Sequence, residues 1–162
     1  MIEIIELSKT FSKDKHSGLK RKNDEPYYHH CLRVGDLVSK LTKDSDVISA
    51  AYLHDVLEHS NTTEKELSEV FNEKVVDLVK ELTNDIELIK IKGKTNYLIE
   101  KINNMSEDCL LIKLCDRYDN LIDVGSKPTY SVETLKLIKN MDRKLNSSHK
   151  KMIELIKSII VN

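Results

Sequence analysis

The chain has little of what strand-rich, membrane-spanning or disulfide-bonded proteins need. Its 162 residues include four glycines, two prolines and no tryptophan, and this scarcity of turn-forming residues favours helix. No apolar run approaches the roughly 20 residues of a membrane-spanning helix, and acids interrupt the first apolar stretch, so no signal peptide is expected. The three cysteines form no CxxC pair and are predicted to be buried, reduced thiols of a cytoplasmic protein.

The chain also lacks an excess of charge of either sign. It carries 26 basic and 27 acidic residues, for a net charge of −1, so no overall field argues for a nucleic-acid or membrane partner. Apolar residues make up 40% and charged residues 33%, which suits a globular protein with a charged surface. The length predicts a single domain over 1–162, folded as an all-α, compact multi-helix bundle.

Apolar residues recur at helical spacing along most of the chain. Helices are predicted over about 2–16, 28–41, 45–59, 63–71, 75–82, 97–105, 106–121, 131–145 and 147–161. Predicted N-caps are Ser45 or Asp46, Ser106, and a Thr63–Glu66 capping box. Residues 16–27 are predicted to form an ordered loop, the polar segment 84–94 carries no clear pattern, and residues 125–128 are a predicted break before the C-terminal helices, about 129–162.

One apolar stretch, residues 50–59, carries a His-Asp pair followed by an acid. In a continuous helix, His54 and Glu58 lie on one face and Asp55 about 100° round, which makes half of a metal site. His30 and Asp116 are candidates for the other half, because Asp116 interrupts an apolar helix and a buried carboxylate is costly unless it is paired or metal-bound. Two imidazoles and two carboxylates suit a divalent ion of the manganese or iron type with open positions.

Spacing alone leaves plainer interpretations open. A His-Asp dipeptide is common without a metal, Asp116 can be a surface acid, and the cations at 20–22 can be a solvated face. His29 and His149 are expected to face solvent, and His16 to bond the loop backbone. Segment 25–27 is expected to be structural, fixing the entry to the following helix. The isoleucines at 153, 156, 159 and 160 can either close the bundle or form a homo-oligomer face.

Three blocks, in this order, resemble the HD superfamily of metal-dependent phosphohydrolases, and within it the hydrolase domain of the RelA/SpoT homologues, whose stand-alone form is the small alarmone hydrolase. Residues 16–30, HSGLKRKNDEPYYHH, resemble H-x-G-Q-x-R-K-x-G-E-P-Y-x-x-H. Residues 54–59, HDVLEH, resemble H-D-x-x-E-D, and residues 114–120, LCDRYDN, resemble L-A-D-R-x-x-N. The resemblance covers about residues 1–125.

The resemblance implies an all-α fold and a guanosine-3′,5′-bis(diphosphate) 3′-pyrophosphohydrolase, which cleaves the alarmone (p)ppGpp of the stringent response to GDP or GTP and pyrophosphate. The small-molecule partner is then a nucleotide and the cofactor a divalent metal, usually Mn²⁺. By position in the motifs, the metal ligands would be His30, His54, Asp55 and Asp116, the catalytic residues Glu58 with His59, and the substrate-binding residues Arg21, Lys22 and Asn120.

The sequence departs from the family pattern most notably at His59, where the family has Asp. A histidine there can accept a proton, hydrogen-bond the attacking water, bind a second ion or face solvent. Asp119 also replaces the His or Tyr common before the Asn. Two alternative functions therefore remain, an HD phosphohydrolase acting on another nucleotide and a catalytically weakened nucleotide-binding sensor.

Overall fold

The structure is a computed structural model that describes residues 2–123 and 128–161. Over these residues the chain forms eleven α-helices and no strand, with an isolated backbone bridge between Lys20 and Pro26. The all-α prediction is confirmed. The chain divides into two compact units, Met1–Thr83 and Asn84–Asn162, each described here by itself, and the single-domain assignment stays a prediction. None of the helices in the described residues combines the length and apolar character needed to cross a membrane.

The first unit is built around a helix whose side chains are almost all buried. Its helices are α1 (Ile2–Lys15), α2 (Tyr27–Ser39), α3 (Ser45–Leu53), α4 (Val56–His59), α5 (Glu64–Val70) and α6 (Glu73–Leu82). Every residue of α3 from Val47 to Leu53 is buried, and α1, α2 and α6 pack around it. Gly35 brings α2 close to α3, because the Tyr52 ring fills the space that a Cβ at Gly35 would need.

The predicted helix over 45–59 is interrupted, so the prediction that His54 and Glu58 share one face of a continuous helix is wrong. Helix α3 ends at Leu53, and Asp55 adopts φ −105° and ψ 0° before α4 begins. The His54 ring donates from Nδ1 to the carbonyl of Ala51 at 2.8 Å. This is the carbonyl that the Asp55 amide would bond in a continued helix, and such side-chain competition favours a break.

The helix caps agree with the sequence in part. Asp44, rather than Ser45 or Asp46, caps α3, since its carboxylate accepts from the amides of Asp46 at 3.0 Å and Val47 at 3.3 Å. The capping box of Thr63 and Glu66 at α5 is confirmed.

The second unit contains α7 (Ile86–Lys92), α8 (Lys94–Asn104), α9 (Glu107–Ile122), α10 (Pro128–Lys139) and α11 (Ser147–Val161). The Ser106 hydroxyl caps α9 as predicted, accepting from the Cys109 amide at 3.2 Å. Helix α11 packs along α9, and Ile153 and Ile156 are buried, so these two isoleucines help to close this unit. The predicted break over 125–128 falls mostly on residues 124–127, which lie outside the described residues.

Two features of the second unit differ from expectation. Segment 84–94 forms α7, which has no buried side chain and therefore no core-facing apolar pattern for the sequence to display. His149 was expected to face solvent but is fully buried. Its Nε2 donates to the carbonyl of Glu107 at 2.8 Å, and its Nδ1 accepts from the Asn146 amide at 3.2 Å. The three cysteines are free and buried, as predicted.

Candidate metal centre

Two imidazoles and a carboxylate converge inside the first unit. His30 lies on α2, His54 follows α3, and Asp55 lies between α3 and α4. The Asp55 Oδ2 atom is 3.2 Å from Nε2 of His54 and 3.6 Å from Nε2 of His30. Both histidine side chains are 1% exposed and that of Asp55 is 13% exposed. Three predicted site residues from separate points of the fold thus present ligand atoms to one another.

The hydrogen bond of His54 determines which of its atoms faces the carboxylate. The Ala51 carbonyl can only accept, so Nδ1 carries the hydrogen, and in the neutral ring Nε2 carries a lone pair. This lone pair faces a carboxylate oxygen, which is also an acceptor, at 3.2 Å. Two acceptors this close need a positive charge between or beside them. Imidazole nitrogen with carboxylate oxygen is a common donor set for divalent metals, and these residues therefore fit such an ion.

Helix α4 adds two titratable groups beside this cluster. Asp55, Glu58 and His59 each offer a ligand-type atom, and these atoms all lie within 4.8 Å of one another. The His59 Nε2 atom is 3.2 Å from Oε2 of Glu58. The hydrogen bond that His59 donates to the Glu58 carboxylate is the main cause that raises the pKa of His59, against the opposing effect of burial. The departure from the family motif at position 59 therefore places a hydrogen-bonded pair of His59 and Glu58 at the solvent-facing edge of the cluster.

Tyr27 is a site residue that the sequence interpretation missed, having given segment 25–27 a structural role only. Its hydroxyl donates to Oδ2 of Asp55 at 2.8 Å, the same oxygen that faces the imidazoles. Its ring stacks on His16, with centroids 5.2 Å apart and planes at 22°. The available signal was spacing, because Tyr27 precedes His30 by three residues and so lies on the same face of α2.

The loop between α1 and α2, called the basic loop here for its cations at 20–22, places Arg21 beside Tyr27. The Arg21 guanidinium lies over the Tyr27 ring, 5.8 Å from its centroid. Lys22, the next residue, is exposed. Of the two predicted substrate-binding cations, Arg21 is therefore in contact with Tyr27, while Lys22 is exposed to solvent.

Glu25 anchors the loop to α2. Its carboxylate receives both terminal guanidinium nitrogens of Arg33, the longer contact being 3.2 Å. The Arg21 amide donates to the Glu25 carbonyl at 2.9 Å and closes the loop. Asp24 stands where the family pattern has Gly and adopts a φ of 65°, a left-handed conformation that Asp tolerates better than most residues.

Asp116 and Asn120 belong to the second unit and contact each other one turn apart on α9. Asn120 donates from Nδ2 to Oδ1 of Asp116 at 2.9 Å, and Lys113 Nζ is 3.0 Å from Oδ2. Asp116 is buried, which excludes the surface-acid interpretation. Arg117, the neighbour of Asp116, pairs with Glu133.

Comparison with known families identifies the class to which this fold and cluster belong. The sequence profile of the family described as "HD domain" matches residues 9–141. The chain belongs to the HD-domain family.

The chain is also similar in sequence to individual proteins that are named as pyrophosphohydrolases. The guanosine-3′,5′-bis(diphosphate) 3′-pyrophosphohydrolase of Aquifex aeolicus is 40% identical over 128 residues, which cover 74% of this chain and 17% of that protein. The pyrophosphohydrolase MESH1 of Xenopus tropicalis is 36% identical over 118 residues, covering 70% of this chain and 65% of MESH1. The chain spans about a fifth of the length of the bacterial relatives it matches.

A solved structure supports the fold. It is that of a metazoan ortholog of SpoT described as hydrolysing ppGpp, and it superposes with a TM-score of 0.79 at 24% identity. The match covers 96% of this chain and 94% of the other. At this identity the likeness concerns the fold, and it confirms the HD-type arrangement of helices.

Proposed function

We propose that this chain is a metal-dependent (p)ppGpp 3′-pyrophosphohydrolase, which releases pyrophosphate from the 3′ position and leaves GDP or GTP. The observation that carries the proposal is Asp55 Oδ2 facing the Nε2 atoms of His54 and His30 at 3.2 and 3.6 Å. The relatives named for this activity in Aquifex aeolicus and Xenopus tropicalis support the choice of substrate. The three buried free cysteines are consistent with a cytoplasmic location.

The proposed metal ligands are His30, His54, Asp55 and Asp116, and the proposed ion is Mn²⁺. Asp116 is assigned from its motif, LCDRYDN, and from the burial of its carboxylate. A mixed set of two imidazoles and two carboxylates leaves open positions on an ion that prefers six ligands. When bound, such an ion supplies polarisation of a phosphoryl oxygen and a water of lowered pKa.

Glu58 and His59 are the proposed acid–base pair. In the reaction, the oxygen of water bonds to the phosphorus next to the ribose, and the bond from that phosphorus to the 3′ oxygen breaks. The water loses a proton and the 3′ oxygen gains one. Glu58, next to Asp55 and partly exposed, is the candidate to accept the proton of the water. His59, hydrogen-bonded to Glu58, would orient that carboxylate and share the proton.

The proposed substrate-binding residues are Arg21, Lys22 and Asn120. Arg21 presents a planar guanidinium supported by the Tyr27 ring, a group suited to stacking on a base. Lys22 is an exposed cation on the same loop and would attract phosphate. Asn120 is assigned to the ribose from its motif position.

The test is pyrophosphate release from guanosine tetraphosphate with Mn²⁺, comparing wild type, Asp55→Ala and His59→Asp. We expect release by wild type and none by Asp55→Ala. His29→Asp is the matched control, because His29 is another half-exposed histidine, 3.3 Å from Glu25. Silence in wild type and in His59→Asp would overturn the hydrolase proposal.

His59 favours a second candidate function. A histidine hydrogen-bonded to Glu58 replaces an acid at the edge of the site, which changes the charge presented to a polyanionic nucleotide. The alternatives are turnover of another nucleotide, or a sensor that binds without turnover. A wild type that is inert while His59→Asp turns over would select these alternatives. A screen of nucleotides would then separate them, since a sensor ligand raises the melting temperature without being consumed.

A further inference from the structure

Tyr27 contacts residues from several parts of the candidate site. Its hydroxyl meets Asp55, and its ring contacts His16, His59 and the guanidinium of Arg21. These partners lie directly after α1, between α3 and α4, on α4 and in the basic loop. A residue with such contacts is placed to link the parts of a site rather than to fill space.

We infer that Tyr27 is a positioning residue that joins the basic loop to the metal centre: its hydroxyl orients the Asp55 carboxylate, and its ring supports Arg21. The inference rests on the proposed function, because it takes Asp55 to be a metal ligand and Arg21 to contact the nucleotide. It adds a residue to which neither the motifs nor the comparisons assign such a role.

The Tyr27 hydroxyl fixes the orientation of the Asp55 carboxylate. The terminal torsion of an aspartate is broad, so the carboxylate needs a donor if one particular oxygen is to face the imidazoles. Tyr27 Oη donates to Oδ2 at 2.8 Å, and Oδ2 is the oxygen 3.2 Å from Nε2 of His54. A donor outside the ligand set that holds a ligating carboxylate typically strengthens metal binding 10–100-fold.

The Tyr27 hydroxyl is itself held in place by contacts of the Tyr27 ring and backbone. The Tyr27 ring stacks on His16 at 5.2 Å, and His16 is buried and donates from Nδ1 to the Ser12 carbonyl of α1 at 2.8 Å. Edge-on contact with His30, with centroids 6.1 Å apart, supports the ring from α2. The Tyr27 amide donates to the Leu19 carbonyl at 2.9 Å. The hydroxyl is thus positioned by the fold and not by Asp55 alone.

The Tyr27 ring also supports the side chain of Arg21. Its guanidinium lies 5.8 Å from the Tyr27 ring centroid, within the range of a cation–π contact. The hydroxyl and the ring therefore serve two different partners. Tyr27→Phe removes only the first contact, and Tyr27→Leu removes both, so the two roles are separable by experiment.

The experiment measures Mn²⁺ affinity by titration, following the electron paramagnetic resonance of free Mn²⁺, for full-length wild type, Tyr27→Phe, Tyr27→Leu and Tyr28→Phe. We expect the Mn²⁺ Kd of Tyr27→Phe to rise about 10-fold or more. The visible absorption of the Co²⁺-loaded protein should shift as well, because the carboxylate orientation changes. At saturating Mn²⁺, the KM for guanosine tetraphosphate should stay near wild type in Tyr27→Phe and rise in Tyr27→Leu.

Tyr28→Phe is the matched control. It loses the same hydroxyl one residue along α2, where the ring meets His29 edge-on at 4.5 Å. Its Mn²⁺ Kd, Co²⁺ spectrum and KM should equal those of wild type. If Tyr27→Phe proves too unstable, the tyrosine ultraviolet difference band of wild type on addition of Mn²⁺ replaces it; this band should appear in wild type and in Tyr28→Phe, and its absence would count against the inference.

The outcomes separate the two proposals. An unchanged Mn²⁺ Kd and Co²⁺ spectrum in Tyr27→Phe, with wild type binding Mn²⁺ and turning over, overturns the role of Tyr27 and leaves the proposed function intact. An equal change in Tyr28→Phe also overturns it, because the effect would then not be specific to Asp55. A wild type that binds no Mn²⁺ overturns both.

Discussion

Each of the two units buries a cluster of charged side chains, and the clusters differ in how donors and acceptors are matched. In the first unit, the His54 ring presents a nitrogen lone pair to the Asp55 carboxylate at 3.2 Å. In the second, the Arg117 guanidinium lies on the Tyr130 ring at 4.4 Å, donates to the Tyr130 hydroxyl at 3.2 Å and pairs with Glu133. In this second cluster, the guanidinium donors of Arg117 face acceptor oxygens of Tyr130 and Glu133.

The difference teaches how a buried polar cluster is to be interpreted. A buried charge is stable when the fold itself supplies the opposite charge and the hydrogen bonds, as Glu133 and Tyr130 do for Arg117. In the first cluster Tyr27 donates to Asp55, yet the His54 nitrogen and the Asp55 oxygen still face each other as two acceptors, a contact that a proton or a metal cation between them would make favourable. Burial alone is common to both clusters. The matching of donors and acceptors marks the second as structural and the first as a candidate metal centre.

The largest effect is expected from a substitution in the first cluster, Asp55→Asn, that replaces one of the two facing acceptors by a donor. Asp55→Asn puts an amide donor where Oδ2 faces Nε2 of His54. The Tyr27 hydroxyl meets the same atom and can accept from the amide instead of donating to the carboxylate. We expect Mn²⁺-dependent turnover to fall at least about 1,000-fold, or ~4 kcal/mol in transition-state stabilisation. Without metal, the free energy of unfolding should stay constant or rise by about 1 kcal/mol, the net value of a hydrogen bond.

Steady-state pyrophosphate release and urea unfolding in a chelating buffer measure these two quantities. A loss of about 2 kcal/mol or more in metal-free stability would contradict the comparison, because it would mean that Asp55 is already matched by the fold. His29→Asn is the control, since it changes a histidine of the same unit that is paired with Glu25 away from the cluster.

The next effect is expected in the second cluster. Arg117→Met should lower the free energy of unfolding by about 3–5 kcal/mol, because it leaves the largely buried carboxylate of Glu133 without its main partner. Urea unfolding measures the change. Arg33→Met is the matched control, because the pair of Arg33 with Glu25 is more exposed and should be worth about 1 kcal/mol or less. Equal losses in the two variants would show that burial does not set the difference.

The sequence predicted those elements whose side chains face a core. Helix α6 and helix α9 were recognised because their buried residues recur at helical spacing. Helix α7 was missed because it buries no side chain. The break between α3 and α4 was missed because apolar residues continue through it, while its cause is a hydrogen bond from the His54 ring to Ala51.

The candidate site was predictable to the extent that motifs identify residue types. The meeting of His30, His54 and Asp55 followed from the resemblance, and the structure brings their ligand atoms together. The contact of Tyr27 with Asp55 was not predictable, because it depends on where a side chain points after folding. The burial of His149 was likewise unpredictable, since composition favours an exposed histidine and only packing against α9 supplies its carbonyl partner.

The smallest effect is expected at the partly exposed ion pair of Arg33 and Glu25. The hydrogen bond from Arg33 is the main cause that lowers the pKa of Glu25 below its ordinary value of 4.5. Because the pKa is lower in the folded state, the stabilisation by this pair is present above pH 4.5 and is lost as the pH falls through the folded pKa. Glu25→Gln should therefore cost about 1 kcal/mol or less at neutral pH and progressively less in acid.

Urea unfolding of wild type and Glu25→Gln from neutral pH down to about pH 3, below the ordinary glutamate pKa, measures this difference. Glu69→Gln, at an exposed glutamate of α5, controls for the general effect of losing a carboxylate. A difference that stays constant across the pH range would show that Glu25 stabilises the loop through its uncharged contacts. If the difference in unfolding free energy disappears in acid, the pair of Arg33 and Glu25 is a charge pair supplied by the fold, like that of Arg117 and Glu133. Its contribution to stability is smaller because water screens the more exposed pair.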